Sequence, residues 1–458
     1  MKRRSFLTAG ASWLAGSRAR AKAQGRAPNI VLILADDLGY GDLRCQGARL
    51  RTPNIDQIAR EGIRSTHFYS ASAVCSPARA SLLTGRHAVR MDIPGVLFPN
   101  DSRGIPDSEV TIAQMLKGAG YRTACVGKWH VGDRVAFMPN AKGFDEFFGL
   151  PYSHDMFPLP LMRQDRIVAD LPRTESLTPA FTEEAVRFIG SNREAPFFLY
   201  LAYTAPHIPL QPGAAFRGRS RQGAYGDSIE ELDFHIGQVL TALREHQIEE
   251  NTLVIFTSDN GPWYQGSKGS LRGRKGETWE GGLRVPFVAR WPGRIPSGTV
   301  TQGMGSHLDL LPTLAAITGA PLPPVPLDGV SIAPMLLGEA GEVPHGLFLY
   351  FDNWELQCAR MDRWKLHLSR FNYPAWLWLN SPRLNLPLPR PELYDLETDS
   401  EESYDASNDF PEIVAEIRSR VEMALAGLPD KVRHTYRDTM RRAVEDTPVG
   451  AYPSLRSP

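Results

Sequence analysis

From Asn29 the chain runs Asn-Ile-Val-Leu-Ile-Leu-Ala without a charge and then stops at Asp36-Asp37. An unbroken apolar run of that length predicts a strand covered on both faces. The figure recurs. Residues 121–126 run out into Gly127-Lys128-Trp129-His130, and residues 197–203 into Ala205-Pro206-His207-Ile208-Pro209-Leu210. Residues 252–257 end in Ser258-Asp259-Asn260-Gly261, and residues 285–289 read as a further strand. Amphipathic segments lie between these runs. Residues 52–62 predict a compact helix that Thr52 caps, Pro53 starts and Gly62 ends. Residues 111–118 predict a second helix. A third, about 228–243, carries Ile229, Leu232, Ile236, Val239, Leu240 and Leu243 at helical spacing. Alternating strand and helix marks an α/β domain, and in open α/β sheets the ligand crevice lies outside the carboxyl ends of the strands. Four strand ends can therefore supply one site.

Residues 320–344 are proline-rich, with only a short turn at 332–337, and the domain boundary is placed there. This divides the chain into a catalytic unit, 27–335, and a smaller C-terminal unit, 340–458. In the latter, residues 347–351, 358–361 and 364–368 read as short strands and 412–428 as a helix. That pattern suits a small α+β domain with an antiparallel sheet. Trp354, Trp364, Trp376 and Trp378 serve either packing or a substrate subsite, and packing is the favoured use. No internal repeat or low-complexity tract is present.

Residues 1–25 read as a targeting segment. Lys2-Arg3-Arg4-Ser5-Phe6-Leu7 opens it, a modest apolar run reaches Gly16, and Ala21-Lys22-Ala23 offers a cleavage site. Paired arginines before Ser-Phe-Leu point to a twin-arginine signal peptide, hence export to the periplasm in a folded state. An ordinary secretory signal or a basic disordered start are the alternatives. The run is too short to be a permanent membrane span, and no other integral membrane segment is expected.

Composition narrows the field. The 458 residues are 42% hydrophobic and 22% charged, ordinary for a soluble enzyme large enough for two domains. Lys+Arg and Asp+Glu both number 51, so no basic field recruits nucleic acid. Four cysteines, Cys45, Cys75, Cys125 and Cys358, are too few for a disulfide framework.

Candidate chemistry sits at the strand ends and in Val74-Cys75-Ser76-Pro77-Ala78-Arg79-Ala80-Ser81-Leu82-Leu83-Thr84-Gly85-Arg86. Pro77 suits a first helical position and Gly85 a stop, which puts Cys75 at a helix N-terminus with Arg79 one turn away. A lone cysteine is usually a small buried hydrophobe; the second reading of Cys75 is a thiolate nucleophile, helped by the helix end and Arg79. Asp36, Asp37, Asp259 and Asn260 converging on one point would repel without a cation, and oxygen ligands suit calcium or magnesium. Such pairs also serve as caps or turn residues. Lys128 and His130, two apart, share a side if the backbone stays extended. With His207 and Lys275 they could surround an ester's anionic oxygens, although each alone also fits a solvated charge or a core histidine.

Cys-x-Pro-x-Arg followed by Leu-Leu-Thr-Gly-Arg resembles the signature of the type I sulfatases. The blocks at 127–132, 206–210, 257–261 and 271–276 look like sulfatase blocks in family order. Pro151-Tyr152-Ser153-His154-Asp155 is similar to the arylsulfatase A and N-acetylgalactosamine-6-sulfatase branch. Glu392-Leu393-Tyr394-Asp395-Leu396 resembles the family's C-terminal strand and turn, whereas Ser400-Glu401-Glu402-Ser403-Tyr404 departs from the usual Pro-x-Glu-x-x-Asn form.

The resemblance implies an alkaline-phosphatase-like α/β fold, a large mixed sheet flanked by helices. It implies that a formylglycine-generating enzyme oxidises Cys75 to formylglycine (3-oxoalanine), whose hydrate attacks sulfur. Asp36, Asp37, Cys75, Asp259 and Asn260 would hold one Ca2+, with Arg79 also at the nucleophile and Asp259 assisting its deprotonation. Lys128, Lys275 and Ser153 would bind the sulfate, His207 would protonate the departing alcohol, and His130 would take the proton that lets sulfate leave. The substrate implied is a sulfated carbohydrate or an aryl sulfate. Two rivals stand beside this reading: a phosphate or phosphonate ester hydrolase of the same superfamily, and an inactive sulfatase-like binder of sulfated glycan.

Overall fold

The computed structural model describes residues 26–371 and 385–445; the expected signal peptide, Trp376 and Trp378 fall outside them. The first apolar run is β1 (Asn29–Ala35), buried throughout. Chain order then gives β2 (Ile63–Ser65), β3 (Phe68–Tyr69), β4 (Arg122–Lys128), β5 (Glu146–Leu150), β6 (Pro160–Arg163) and β7 (Arg166–Asp170). They are followed by β8 (Phe197–Ala202), β9 (Thr252–Ser258), β10 (Phe287–Arg290), β11 (Thr299–Thr301) and β12 (Gly305–Ser306). All but β3 and β12 join a ten-stranded sheet in the order β11-β2-β10-β9-β1-β8-β4-β5-β6-β7. Its middle, β9 to β5, is parallel, while β10, β6 and β7 run antiparallel to their neighbours.

Helices cover both faces, which is why β1 has no polar alternation. Ile30, Leu32 and Leu34 enter a core shared with α2 (Cys75–Thr84) and α3 (Ile112–Gly118). Val31, Ile33 and Ala35 enter a second core with α1 (Pro53–Arg60), α4 (Leu177–Asn192) and α5 (Gly223–Glu245). Successive β1 side chains thus feed opposite layers, as the pleat requires. The register pairs Ala35 with Ser258 and Leu34 with Ala202. Residues 36, 204 and 259 therefore leave the sheet side by side.

Three local expectations are corrected. Thr52 occupies the N-cap of α1 but makes no cap hydrogen bond, because its hydroxyl is turned to Asp56. Asp233 of α5 caps α1 instead, accepting from the amides of Asn54 and Ile55 at 3.0 and 2.8 Å. Pro77 stands third in α2, not first, among the four amides that have no helical acceptor, so its missing N–H still costs nothing. Lys128 and His130 do not share an extended side, because His130 takes a left-handed φ of 61°.

After α6 (Glu280–Leu283), α7 (Leu310–Thr318) and α8 (Ala333–Leu336), four strands form an antiparallel sheet: β13 (Phe348–Asp352), β14 (Glu355–Met361), β15 (Trp364–Phe371) and β16 (Asn385–Asp395). Leu356, Leu366 and Leu393 pack on Ile417 and Val421 of α9 (Pro411–Leu425) and on Val432 and Tyr436 of α10 (Asp430–Glu445). Trp364 packs at a tilt against Phe410, ring centroids 4.7 Å apart, and Trp354 joins the same core, so these two serve packing. All four cysteines are free, and no described helix is long and apolar enough to cross a membrane.

Candidate active site

The carboxyl ends of β1, β4, β8 and β9 bring the expected polar clusters to one edge, and α2 enters the same place with its first turn. Asp36, Asp37, Cys75, Arg79, Lys128, His130, Ser153, His207, Asp259, Asn260 and Lys275 are all buried. Gly127 makes the approach possible: with φ 109°, a Cβ there would lie 1.8 Å from the Ala202 carbonyl oxygen.

Arg79 is the hub. Its Nε and Nη2 donate to Asp259 Oδ2 at 3.0 and 2.8 Å, its Nη1 to the Lys128 carbonyl at 3.0 Å, and Nη2 lies 3.4 Å from Asp36 Oδ1. Lys128 Nζ sits 2.7 Å from Asp36 Oδ2. Lys275 Nζ lies 2.8 Å from Asp37, whose backbone is left-handed (φ 63°) and whose carboxylate comes within 4.8 Å of a ligand atom of Asp36. Asp37 N donates to Asp259 Oδ1 at 3.1 Å, and Asn260 Nδ2 to Asp37 Oδ1 at 2.8 Å. Cys75 Sγ is 3.6 Å from Asp36 Oδ1. One ligand atom from each of Asp36, Asp37, Cys75 and His207 falls within 4.8 Å of the others.

Charge balance explains the protonation states. Burial raises the Asp37 carboxyl to about 6, against the pull of Lys275 and with the push of Asp36 and Asp259. Asp36 stays well below the ordinary carboxylate value: burial would raise it, but Lys128, His207, Arg79 and Lys275 together prevail. Burial pushes the Cys75 thiol up despite Lys128 and Lys275, so a free thiolate has no support here.

The histidines carry defined tautomers. His130 Nε2 faces the Leu97 carbonyl at 2.9 Å and must donate to it, which leaves Nδ1, buried and without a partner, as the basic atom. His207 Nδ1 faces the Ile208 carbonyl at 2.5 Å, so Nε2, 3.6 Å from Asp37 Oδ2, is its free atom. Burial holds both rings well below the usual histidine value. Ser153 Oγ is buried and unpartnered. Its neighbour His154, not among the residues picked from sequence, packs edge-on against His207 at 5.5 Å. The signal available for it was adjacency to Ser153 in the Tyr-Ser-His-Asp block.

Residues 28–320 match the sulfatase family model. The chain belongs to the sulfatase family. Residues 275–427 of this sulfatase also match the model described as N-sulphoglucosamine sulphohydrolase, C-terminal. It is similar to human arylsulfatase A, 45% identical over 360 residues, 71% of each chain. It is 39% identical to the N-acetylgalactosamine-6-sulfatase of Canis lupus familiaris over 388 residues, 77% of this chain and 73% of the relative. Among solved structures, it superposes with a TM-score of 0.79 and 30% identity on a Bacteroides thetaiotaomicron 6S-sulfatase from a core genetic locus for the metabolism of multiple glycosaminoglycans, covering 87% of this chain and 99% of that one. The large mixed sheet with a C-terminal antiparallel sheet is thus the alkaline-phosphatase-like fold of sulfatases, and the enzyme is a sulfuric ester hydrolase.

Proposed function

We propose that this sulfatase releases inorganic sulfate from a sulfated carbohydrate, aryl sulfates serving as simpler substrates, with residue 75 as formylglycine and one calcium ion in the crevice. The observation that carries the reading is the buried juxtaposition of Cys75 with Asp36 at 3.6 Å, flanked by Lys128 and Lys275. A buried, protonated thiol in that setting is a poor nucleophile but a fitting precursor. Oxidised by a formylglycine-generating enzyme, residue 75 would supply as its hydrate one hydroxyl for attack and a second through which sulfate is expelled.

The donor set fits a hard divalent cation: three carboxylates converge, and Asn260 Oδ1 is buried without a partner. Asp36, Asp37, Asp259 and Asn260, with residue 75, would hold it, and it would supply Lewis-acid stabilisation of anionic oxygen. Three carboxylates facing Arg79, Lys128 and Lys275 are neutral in sum, so a divalent ion would leave a net positive crevice for an anionic ester.

The remaining roles belong to the chain itself. Lys128 and Lys275 bind the non-bridging sulfate oxygens, and the free Ser153 hydroxyl donates to one of them. His207 protonates the departing alcohol from Nε2; with its Nδ1–H given to the Ile208 carbonyl this takes the imidazolium, which burial disfavours and which Asp36 and the anionic ester favour. His130 accepts a proton at Nδ1, the atom its hydrogen bond to Leu97 leaves basic. Arg79 fixes Asp259 and Asp36. We further propose export by the twin-arginine route, which carries folded protein and so permits modification of Cys75 beforehand.

The test is sulfate release from a panel of defined sulfated sugars, with matched aryl sulfate and aryl phosphate as controls. Preferred release from a sugar sulfate supports the reading, and faster turnover of the phosphate would replace it with a phosphatase.

A further inference from the structure

Lys275 sits in a loop whose two ends are held by one residue far along the chain. The Glu402 carbonyl accepts from Arg272 Nη1 at 2.7 Å, and Glu402 Oε2 accepts from the Glu280 amide at 2.7 Å. Lys275 lies between these anchors. Glu402 is fully buried and adopts a left-handed φ of 52°. Its other oxygen, Oε1, meets Lys365 Nζ at 3.0 Å and His367 Nε2 at 2.9 Å, both on β15. Lys365 also reaches Glu280 Oε1 at 3.1 Å, and the His367 ring lies 4.2 Å from that of Trp279. The Arg272 guanidinium covers Trp279 at 3.8 Å.

On its inner side the same loop is fastened next to the reacting residue. Gly276 N donates to the Ala73 carbonyl at 2.8 Å, two residues before Cys75, and Lys275 N to the Pro262 carbonyl at 3.0 Å. The loop is thus clamped between the C-terminal sheet and the segment that carries residue 75.

A buried ionic cluster is a poor way to gain stability, since well-packed apolar side chains do as well or better. What it provides is a fixed geometry. We propose that Glu402 is a positioning residue for catalysis, setting the height of Lys275 over the sulfate by holding residues 272 and 280 at once. The proposal rests on the assignment of Lys275 as a sulfate-binding cation. It also gives the C-terminal sheet a part in the reaction, through a residue that fills the Glu position of the Pro-x-Glu-x-x-Asn form, where Ser400 replaces its Pro and Asp405 its Asn.

The experiment is a double-mutant cycle on the full-length enzyme with p-nitrophenyl sulfate, with thermal melts recording the folded fraction. Glu402→Gln is expected to lower kcat/KM roughly 10- to 100-fold, the scale of a misplacement near 1 Å. In a Lys275→Ala background the same substitution should change kcat/KM by less than about twofold, because the group it positions is gone. Equal losses in both backgrounds, or no loss in the native one, would overturn the proposal alone. Full activity in Lys275→Ala itself would remove the Lys275 assignment and this inference with it. His367→Gln, which strips the ring from Trp279 while keeping a donor for Glu402, repeats the cycle if Glu402→Gln does not fold, with the same outcomes deciding.

Discussion

Arg79 places two donors, Nε and Nη2, on a single carboxylate oxygen of Asp259, and neither side chain reaches solvent. With Nη1 on the Lys128 carbonyl and Nη2 near Asp36, one guanidinium ties together the ends of β1, β4 and β9. A lysine ammonium cannot span three such points. Removing one partner of a buried pair leaves an uncompensated charge, so Arg79→Ala should cost about 3–5 kcal/mol. Arg79→Lys should lose much of that stability and nearly all turnover. Denaturant unfolding checks the first figure, and an Arg79→Lys enzyme of native stability and rate would show that the fork is not needed.

Cys75→Ala should abolish sulfate release while the protein stays folded, since a small buried group is lost and the cavity cost is only about 1 kcal/mol. Mass spectrometry of the tryptic peptide holding residue 75 should show the aldehyde in active enzyme and the thiol in inactive enzyme. Turnover by the alanine variant would refute the nucleophile.

Metal removal gives a third check. Chelation should cut activity and lower the melting temperature, because an ion bound only by the folded chain adds stability by mass action. Asn260→Leu should weaken calcium retention, its Oδ1 being the one candidate ligand atom left without a protein partner in the site. Elemental analysis beside the rate measurement decides: full activity after verified metal loss removes the ion from the scheme.

How far these features were legible in the sequence differs by kind. β1, β8 and β9 were visible because burial on both faces leaves an uninterrupted apolar run. Their order in the sheet was not, since nothing local records that β1 lies between β8 and β9. The helix α4 went unread although Leu177, Phe181, Ala185, Phe188 and Ile189 keep helical spacing and are buried. The hairpin β6–β7 has no such signal, being exposed along most of its length. The site residues stood out as polar clusters at strand ends, but the left-handed turn at His130 and the burial of Glu402 depend on contacts distant in sequence. Ser400 in place of the form's Pro draws the eye to local packing at 400–404, and only the fold shows that Glu402, which keeps the form's Glu, brackets Lys275.

The last prediction concerns pH and lies away from the crevice. Glu355 begins β14 in the C-terminal sheet, is only 4% exposed, and its Oε1 has no partner. Burial pushes its carboxyl from 4.5 up to about 7, against the pull of Thr439 and Arg442. A carboxyl raised in the folded chain binds its proton more tightly there than when unfolded. Its contribution to stability is therefore complete below pH 4.5 and is lost as pH rises through about 7. The full swing is about 3 kcal/mol at most. Glu355→Gln mimics the protonated form at every pH, so it should match the native protein near pH 4.5 and exceed it at pH 8. Other raised carboxyls, such as Asp42 and Asp233 at about 6, move both proteins alike and cancel in the difference. Urea unfolding of both at the two pH values measures that difference. A gap that does not widen with pH would show that Glu355 titrates in the fold as it does in the open chain.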